Sequence, residues 1–543
     1  MNAAQTQAET FDYVVIGAGS SGATVARRLA DAGKQVLLLE AGAPRQNDFW
    51  VRTPLGIGRL LLNPDYVWPF NTQEQTALHG QKIYWPRGRL PGGSSSVNGM
   101  IYVRGDPAEF DHWRDLGNPG WGYQDLLPYF KRMENFSEGD PQWRGRGGPI
   151  HVTSLRHDPQ VLGDAFVEAC QQAGIPQTPD YNGERYEGVS YLQLNTRGGE
   201  RCGTARGYLS GDLPATLTLR TECVATRILW EGRRAVGVAY QRQGVNAVAH
   251  ARAEVILSAG PIKSPQLLEV SGVGQPDLLA SIGVPVVHAL KGVGENLLDH
   301  LQTRITFRAR RRVTLNEIMS SRWRPFLMGA GYLLTRKGMM ATPSATVHAL
   351  VRTDESQAQP TVKIQMHHLS AASRYSRTRG AGLDPFPGFS IGLFQLRPQS
   401  RGSLHATGPD ALTDPVMDPR YLTHEEDKRT ILQAFRLARR VAAQPALTEL
   451  ITEETRPGPG AVSDEELLHY IRESGQTSWH PIGTCKMGVD EAAVVDPQLR
   501  VHGLDAIRVV DSSIMPTMPS SNTNAASIAI GEKAADLLLG SRS

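Results

Sequence analysis

Cysteine is scarce in this chain: four in 543 residues, Cys170, Cys202, Cys223 and Cys485. Their spacing matches neither a metal-ligand set nor a disulfide framework, so no metal site is expected and a reduced, cytoplasmic setting fits best. A surplus of one charge sign is missing too. The 57 basic and 54 acidic residues leave a formal charge of +3, and no basic run offers nucleic acid an electrostatic footprint. No apolar stretch reaches the length of about 18 residues that a membrane span needs. The N-terminal MNAAQTQAETFDYVVIG has no basic start and no apolar core of a secretory leader, so the Asn135-Phe136-Ser137 sequon carries no expectation of glycosylation.

Glycine, by contrast, is plentiful at 55 residues, and its placement is informative. DYVVI reads as a buried parallel strand running into Gly17-Ala18-Gly19-Ser20-Ser21-Gly22. A helical pattern follows (Ala23, Val25, Ala26, Leu29, Ala30) with Gly33 as its stop, and then QVLLLEAG, a second strand ending in Glu40. Strand, G-x-G-x-x-G, helix and a second strand closing on an acid make up the dinucleotide-binding unit. The glycines admit a pyrophosphate and the helix N-terminus offers it N–H groups. Glu40 can accept from ribose hydroxyls, which argues against NADP. NAD and FAD share this fingerprint. A length of 543 residues predicts two domains, or one with a large insertion.

A second glycine-rich run, GRLPGGSSSVNGMIYVRG at 88–105, reads by composition as a flexible linker before a strand, or as a loop shaped to hold something. Further on, the buried strand AEVILSAG leads into GPIKSPQLLEVSGVG. The latter matches one signature of the glucose-methanol-choline (GMC) oxidoreductases at every defining position, and GRLPGGSSSVNG nearly matches the other. GVGENLLDH, RPQSRG, WHPIGTCKMG and the C-terminal HGLDAIRVVDSSIMPTMPSSNTNAASIAIGEKAADLL agree as well. The chain thus resembles this family over nearly its whole length, and the likeness extends to its bacterial choline, aliphatic-alcohol and sorbose dehydrogenases.

The resemblance implies FAD and an α/β protein, α+β overall. A discontinuous Rossmann-like FAD-binding domain is expected from 1–155, 204–312 and 476–543. An antiparallel-sheet substrate domain with flanking helices is expected from 156–203 and 313–475. By the same likeness Gly17, Gly19, Ser20, Ser21 and Gly22, with Glu40 and Ala41, meet the cofactor's adenosine and pyrophosphate side. Arg87, Gly92, Gly93, Ser94, Asn98, Gly99, Met100 and Ile101 lie along the flavin. Val224 makes a backbone contact to adenine, and Trp479, Asp511, Ser512 and Thr523 complete the set. The sequence departs from the family at Pro91, which stands in place of an aliphatic residue. It departs again at Val97, where some members carry a histidine bonded to FAD, so a non-covalent FAD is expected.

Oxidising an alcohol requires a base beside the hydroxyl and a partner for the developing alkoxide. His480, between Trp479 and Pro481, suits the first role. Asn522 matches the family position for the second, and its amide can donate but is no base. Asn522-Thr523-Asn524 also reads as a helix N-cap. Met366, His368 and Phe394 are candidates for the substrate cavity, and no acidic residue is assigned there. A primary alcohol, aliphatic or arylic, is therefore expected in preference to choline, with flavin N5 receiving hydride and a quinone, dye or O2 taking the electrons. A polyol or sugar dehydrogenase and a non-redox hydroxynitrile lyase are the alternatives, and an NAD-dependent dehydrogenase is what the fingerprint alone would permit. RPFLMGAGYLLTRKGMMATPS, flanked by Arg322, Arg324, Arg336 and Lys337, reads as a buried helix and loop. Its other readings are a lid, or a surface for peripheral contact with the inner membrane.

Overall fold

The computed structural model describes residues 9–158, 160–372 and 382–540. Most of the leader-free N-terminus expected from the sequence, residues 1–8, lies outside them. Two large sheets carry the molecule. In the first, Leu217–Arg220, Val36–Leu39, Glu9–Ile16 and Val245–Leu257 run parallel, and Arg234–Arg242 and Cys223–Glu231 continue antiparallel. Ile507–Val509 also pairs parallel with Val245–Leu257. The central strands are buried on both faces, which is why VVI, VLLL and VIL are continuous apolar runs and do not alternate.

The strand Glu9–Ile16 turns into the helix Ser20–Asp31 through Gly17, whose φ of +98° puts it in the region that favours glycine. A Cβ there would sit 2.4 Å from the Ser258 carbonyl oxygen, and one on Gly22 would sit 1.9 Å from that of Gly17. Two of the three fingerprint glycines are thus required by close packing of turn, helix and sheet. The helix buries Ala23, Val25, Ala26, Leu29 and Ala30, the stripe read from its periodicity.

The second sheet is antiparallel, in the order Ile451–Arg456, Leu301–Ala309, Gly388–Gln395, Val362–His367, Ala345–Val351, Gly188–Tyr191. Leu301–Ala309, which falls inside the 204–312 segment expected on the cofactor side, pairs within this antiparallel sheet. One face of the sheet (Ile305, Val347, Ile364, Met366, Ile391, Leu393) packs into a core with the helices Val161–Gln172 and Glu425–Ala442. Side chains alternate along a strand, so Lys363, Gln365 and His367 point to the other face. Register then aligns Gln302, Phe394 and Lys363 side by side across three strands.

The apolar stretch after Arg322 corrects its buried reading. It forms a helix, Arg324–Thr335, of which only Tyr332 is buried. Trp323 is 74% and Leu334 86% exposed, and Phe326, Leu327 and Leu333 face solvent with them. No helix of the described residues is long and apolar enough to cross a membrane.

Glu134 is fully buried and ties three segments together. It accepts from Arg104 Nη2 at 3.0 Å, from Arg144 Nε at 2.9 Å and from the Gly145 N–H at 2.8 Å. The two guanidiniums outweigh the cost of burial and hold its carboxyl below the usual glutamate range. Glu134→Ala strands the buried Arg104 and leaves Arg144 with Asp180 alone, and is expected to cost about 3–5 kcal/mol, read as a lowered denaturant midpoint. Because the folded-state pKa is lowered, Glu134's contribution is present above the unfolded-state value and lost as pH falls through the folded one.

Candidate active site

The first sheet's carboxyl ends and the second sheet's polar face enclose one cleft with two chambers, of about 1100 and 1070 Å³ of empty volume. Ser20, Arg87, Ser94, Ser512 and Ser527 line both chambers and join them.

The first chamber is built for a dinucleotide. Gly19 faces it: a Cβ there would have no atom within 4 Å and would project into the cradle. No side chain caps the helix Ser20–Asp31, so its first N–H groups remain for an anion. Glu40 lies just past its strand, where its Oε2 accepts from Ala18 N at 3.1 Å and its Oε1 from Gly42 N at 2.8 Å. Burial outweighs these bonds and pushes its carboxyl up to about 7. Each oxygen keeps a lone pair for a ribose hydroxyl. Ala41 and Val224 share this wall, as does Gln266, whose Oε1 is buried without a partner. Asp511 is a strut, with Oδ2 accepting from Gly260 N at 2.9 Å and from Ser264 Oγ at 2.6 Å.

The glycine-serine run of 88–105 is a fixed loop between the chambers. Gly92 donates its N–H to the Ala18 carbonyl at 2.8 Å, and Gly93 (φ +51°) packs so closely that a Cβ would lie 2.8 Å from Gly19 Cα. Pro91 fits this turn, its carbonyl accepting from Ser96 Oγ at 2.7 Å. Arg201 clamps the far end, donating to Ser95 O at 3.1 Å, Asn98 O at 2.7 Å and Asn98 Oδ1 at 2.9 Å. With no acid beside it, burial pushes the Arg201 guanidinium down to about 9. Gly93 and Ser94 line the first chamber, and Ser94 and Val97 to Ile101 the second. Gly22 and Gly92 stand behind the walls as packing positions.

His480 and Asn522 meet in the second chamber, with His480 Nε2 3.0 Å from Asn522 Nδ2. The ring's Nδ1 is 2.9 Å from His300 Nδ1, and His300 Nε2 is 3.0 Å from the Leu396 carbonyl. Burial holds His300 down to about 3, hence neutral. Below the ring, Asp299 Oδ1 accepts the His480 N–H at 2.8 Å, and its Oδ2 accepts from Thr477 Oγ1 at 2.6 Å and from the Tyr421 hydroxyl. Trp479, at φ +63°, donates its N–H to Thr477 Oγ1 at 2.7 Å, and its carbonyl accepts from Arg87 Nη1 at 2.9 Å. Trp479, Ser512 and Thr523 line this chamber, the last as N-cap residue of the helix Asn524–Leu539.

Of the candidates for the substrate cavity, Phe394 lines this chamber. Met366 and His368 do not: Met366 lies in the core on the other face of its strand, and His368 Nε2 is 2.7 Å from Thr346 Oγ1. The expectation was one residue out of register, and in a strand one residue exchanges the faces. His367, Gln365, Gln302 and Ser344 are the polar lining, with Gln365 Nε2 2.8 Å from His367 Nε2. Among the described residues no carboxylate lines this chamber, and no group of His, Cys, Asp or Glu could hold a metal ion. Sequence reasoning missed Asp299 and His300, although both close the GVGENLLDH motif, and it missed Lys363 and Gln365, which no local pattern marks.

The described cleft agrees with what the chain is similar to. The family description "GMC oxidoreductase" matches residues 11–302 and 398–531. The chain is 38% identical over 535 residues to an oxygen-dependent choline dehydrogenase of Vibrio vulnificus (strain YJ016), covering 97% of this chain and 94% of the relative. It is also 38% identical over 538 residues to the oxygen-dependent choline dehydrogenase of Escherichia coli O9:H4 (strain HS), covering 98% and 96%. Among solved structures, pyridoxine 4-oxidase from Mesorbium loti is similar with a TM-score of 0.87 and 30% identity, over 97% of this chain and 98% of that one. Formate oxidase shares the fold at a TM-score of 0.90 and 24% identity, over 98% and 99%. A glycine cradle closing on Glu40 beside a His480–Asn522 pair, in a chain so matched, means that this protein belongs to the GMC oxidoreductase family and is an FAD-dependent oxidoreductase acting on CH–OH donors.

Proposed function

We propose that the enzyme oxidises a neutral primary alcohol to the aldehyde, with His480 as the base and Asn522 as the group that holds the alkoxide. The observation that carries this reading is the 3.0 Å pair of His480 Nε2 and Asn522 Nδ2 in the wall of a chamber that no carboxylate lines. FAD, bound against the glycine turn, Glu40 and the 92–101 loop, would supply a two-electron acceptor for the carbinol hydrogen. His480 takes the hydroxyl proton at Nε2, while its Nδ1 is steadied by neutral His300. Asn522 Nδ2 donates to the oxygen as charge develops on it, and an amide cannot compete for the proton. Asp299 holds the His480 backbone, so the ring does not drift from the hydroxyl.

Choline is the substrate in the relatives' names, yet a quaternary ammonium would here meet the Arg87 side of the chamber with no counter-charge. Phe394, Val97, Ile101, Leu61 and Ile57 instead suit an apolar or arylic alcohol, and Gln365 and His367 suit one polar substituent. Anaerobic addition of an alcohol series to the holoenzyme tests this. Neutral primary alcohols should bleach the flavin band at concentrations at least 100-fold lower than choline; choline acting at the lower concentration would sink the neutral substrate. Polyol preference would show as sorbitol outpacing benzyl alcohol, and cyanide release from a cyanohydrin with unbleached flavin would mark a lyase. His480→Ala should slow flavin reduction by about 10²–10⁴-fold with FAD still bound.

The flavin is held without a covalent bond, because Val97 in the chamber wall offers no nucleophilic atom. Acid precipitation should leave all the yellow colour in the supernatant, and a coloured pellet would refute it.

The exposed apolar helix favours a membrane-borne acceptor of quinone class. Trp323, Phe326, Leu327, Leu333 and Leu334 project beside Arg322, Arg324, Arg336 and Lys337, with no acidic residue between Glu317 and Asp354. That pattern fits an anionic bilayer surface, and Pro343 to Ala345, just beyond it, line the substrate chamber. The protein should sediment with vesicles containing anionic lipid, and Trp323→Ser with Phe326→Ser should weaken this at least tenfold. A protein that stays in the supernatant, or that pairs with itself through this face, overturns the contact. Quinone reduction faster than oxygen uptake on one alcohol is the matching acceptor result.

A further inference from the structure

Lys363 is fully buried on the strand Val362–His367, directly beside the His480–Asn522 pair. Its Nζ is 2.9 Å from Asn522 Oδ1 and 3.4 Å from Ser521 Oγ, and it lies over the Phe394 ring at 5.6 Å. Among the described residues no carboxylate pairs with it, and burial alone pushes its ammonium down to about 7. A cation kept out of water without an acid is costly, and nothing in the local packing demands one.

The hydrogen bonds around it have a direction that can be read from both ends. At one end the Leu396 carbonyl can only accept, so His300 Nε2 carries the proton that faces it. His300 is neutral, so its Nδ1 accepts, and the proton between the two rings sits on His480 Nδ1. At the other end Lys363 Nζ donates to Asn522 Oδ1, as a charged ammonium must and a neutral amine still can, which turns Nδ2 toward His480. His480 Nε2 is then left with its lone pair, the form a base requires.

We propose that Lys363 is a positioning residue for the proton transfer: by holding Asn522 Oδ1 it orients the amide so that His480 Nε2 stays an acceptor and the ring stays unprotonated. The proposal rests on His480 being the base. Without Lys363 the amide can turn over and present Oδ1 to His480, which favours a proton on Nε2. Loss of the neighbouring positive charge acts in the same direction. Both raise the pH at which His480 becomes competent.

Other titratable groups face the pair. They are His300 and Asp299 at the start of the strand Leu301–Ala309, with Tyr421 bonded to Asp299; Arg87 under Trp479; Asp511 across the cleft; His367 at the end of the same strand as Lys363; and His348 on the neighbouring strand Ala345–Val351. The Lys363 charge helps hold His300 and His348 down, behind the larger effect of burial, so its removal relaxes both upward while burial still keeps them low.

The test is the pH profile of flavin reduction in single-turnover mixing, measured on holoenzyme with one good alcohol. Lys363→Met and Lys363→Leu should move the acidic limb to higher pH by at least half a unit, with the rate recovering toward the wild-type value on the alkaline plateau and substrate affinity changing less than threefold. Lys363→Arg, which keeps the donors, should restore the limb toward its wild-type position. Two truncations are used so that failure of one to fold leaves the other. If His480→Ala is inactive but the limb of the folded truncation coincides with wild type, Lys363 has no positioning role and His480 remains the base. A uniform loss of rate at every pH has the same consequence. A normal rate in His480→Ala removes the base itself, whatever the Lys363 variants do.

Discussion

A single buried carboxylate, Asp299, holds together the parts from which this site is made. It sits between the two sheets, where the strand Leu301–Ala309 begins, and receives the His480 N–H, the Thr477 hydroxyl and the Tyr421 hydroxyl. The segment 477–482 is thereby pinned along 298–302, with Ser478 N bonding His300 O at 2.9 Å and Ile482 N bonding Leu298 O at 3.0 Å. Trp479 keeps its left-handed backbone because Thr477 and Arg87 hold it from both sides. Burial pushes the Asp299 carboxyl up to about 6 against the pull of these donors. The His480 imidazole in the chamber wall is thus carried by backbone fixed to a carboxylate outside that wall.

Charge is distributed unevenly about the cleft. Arg201 and Lys363 are buried with no acid beside them, and Arg87 has Asp299 and Asp511 as its nearest counter-charges. Away from the cleft Arg104 and Arg144 are paired with Glu134. A region that keeps cations without their partners is suited to ligands and transition states that bring negative charge. Arg201 also stiffens the glycine-serine loop, so its composition, which alone resembles a linker, serves close approach of backbone to backbone.

Much of this was legible in the sequence because it is local. Gly17, Gly22 and Glu40 follow from one strand-turn-helix-strand unit, and the GMC motifs carried His480, Asn522, Asp511 and the 92–101 loop into one cleft. The losses have physical causes. Gln365 and His367 face the chamber and Met366 faces the core, and a run of apolar and polar residues in a strand buried on both sides has no pattern that reveals this parity. The helix Arg324–Thr335 was read as buried because hydropathy reports what a segment would tolerate, while exposure depends on whether a neighbour covers it.

The amino-acid sequence by itself determined the cofactor class, because motifs spread along the chain carry the resemblance to one FAD family, and it marked His480 and Asn522 as the candidates that the cleft brings together. It also determined, through Val97, that the flavin is not anchored at that position. Only the tertiary structure decided how those groups are oriented. His300, Lys363 and Asn522 are separated by 63 and 159 positions along the chain, and what links them is register across antiparallel strands and a hydrogen-bond direction set by a carbonyl at one end and an ammonium at the other. Neither quantity exists until the strands are paired.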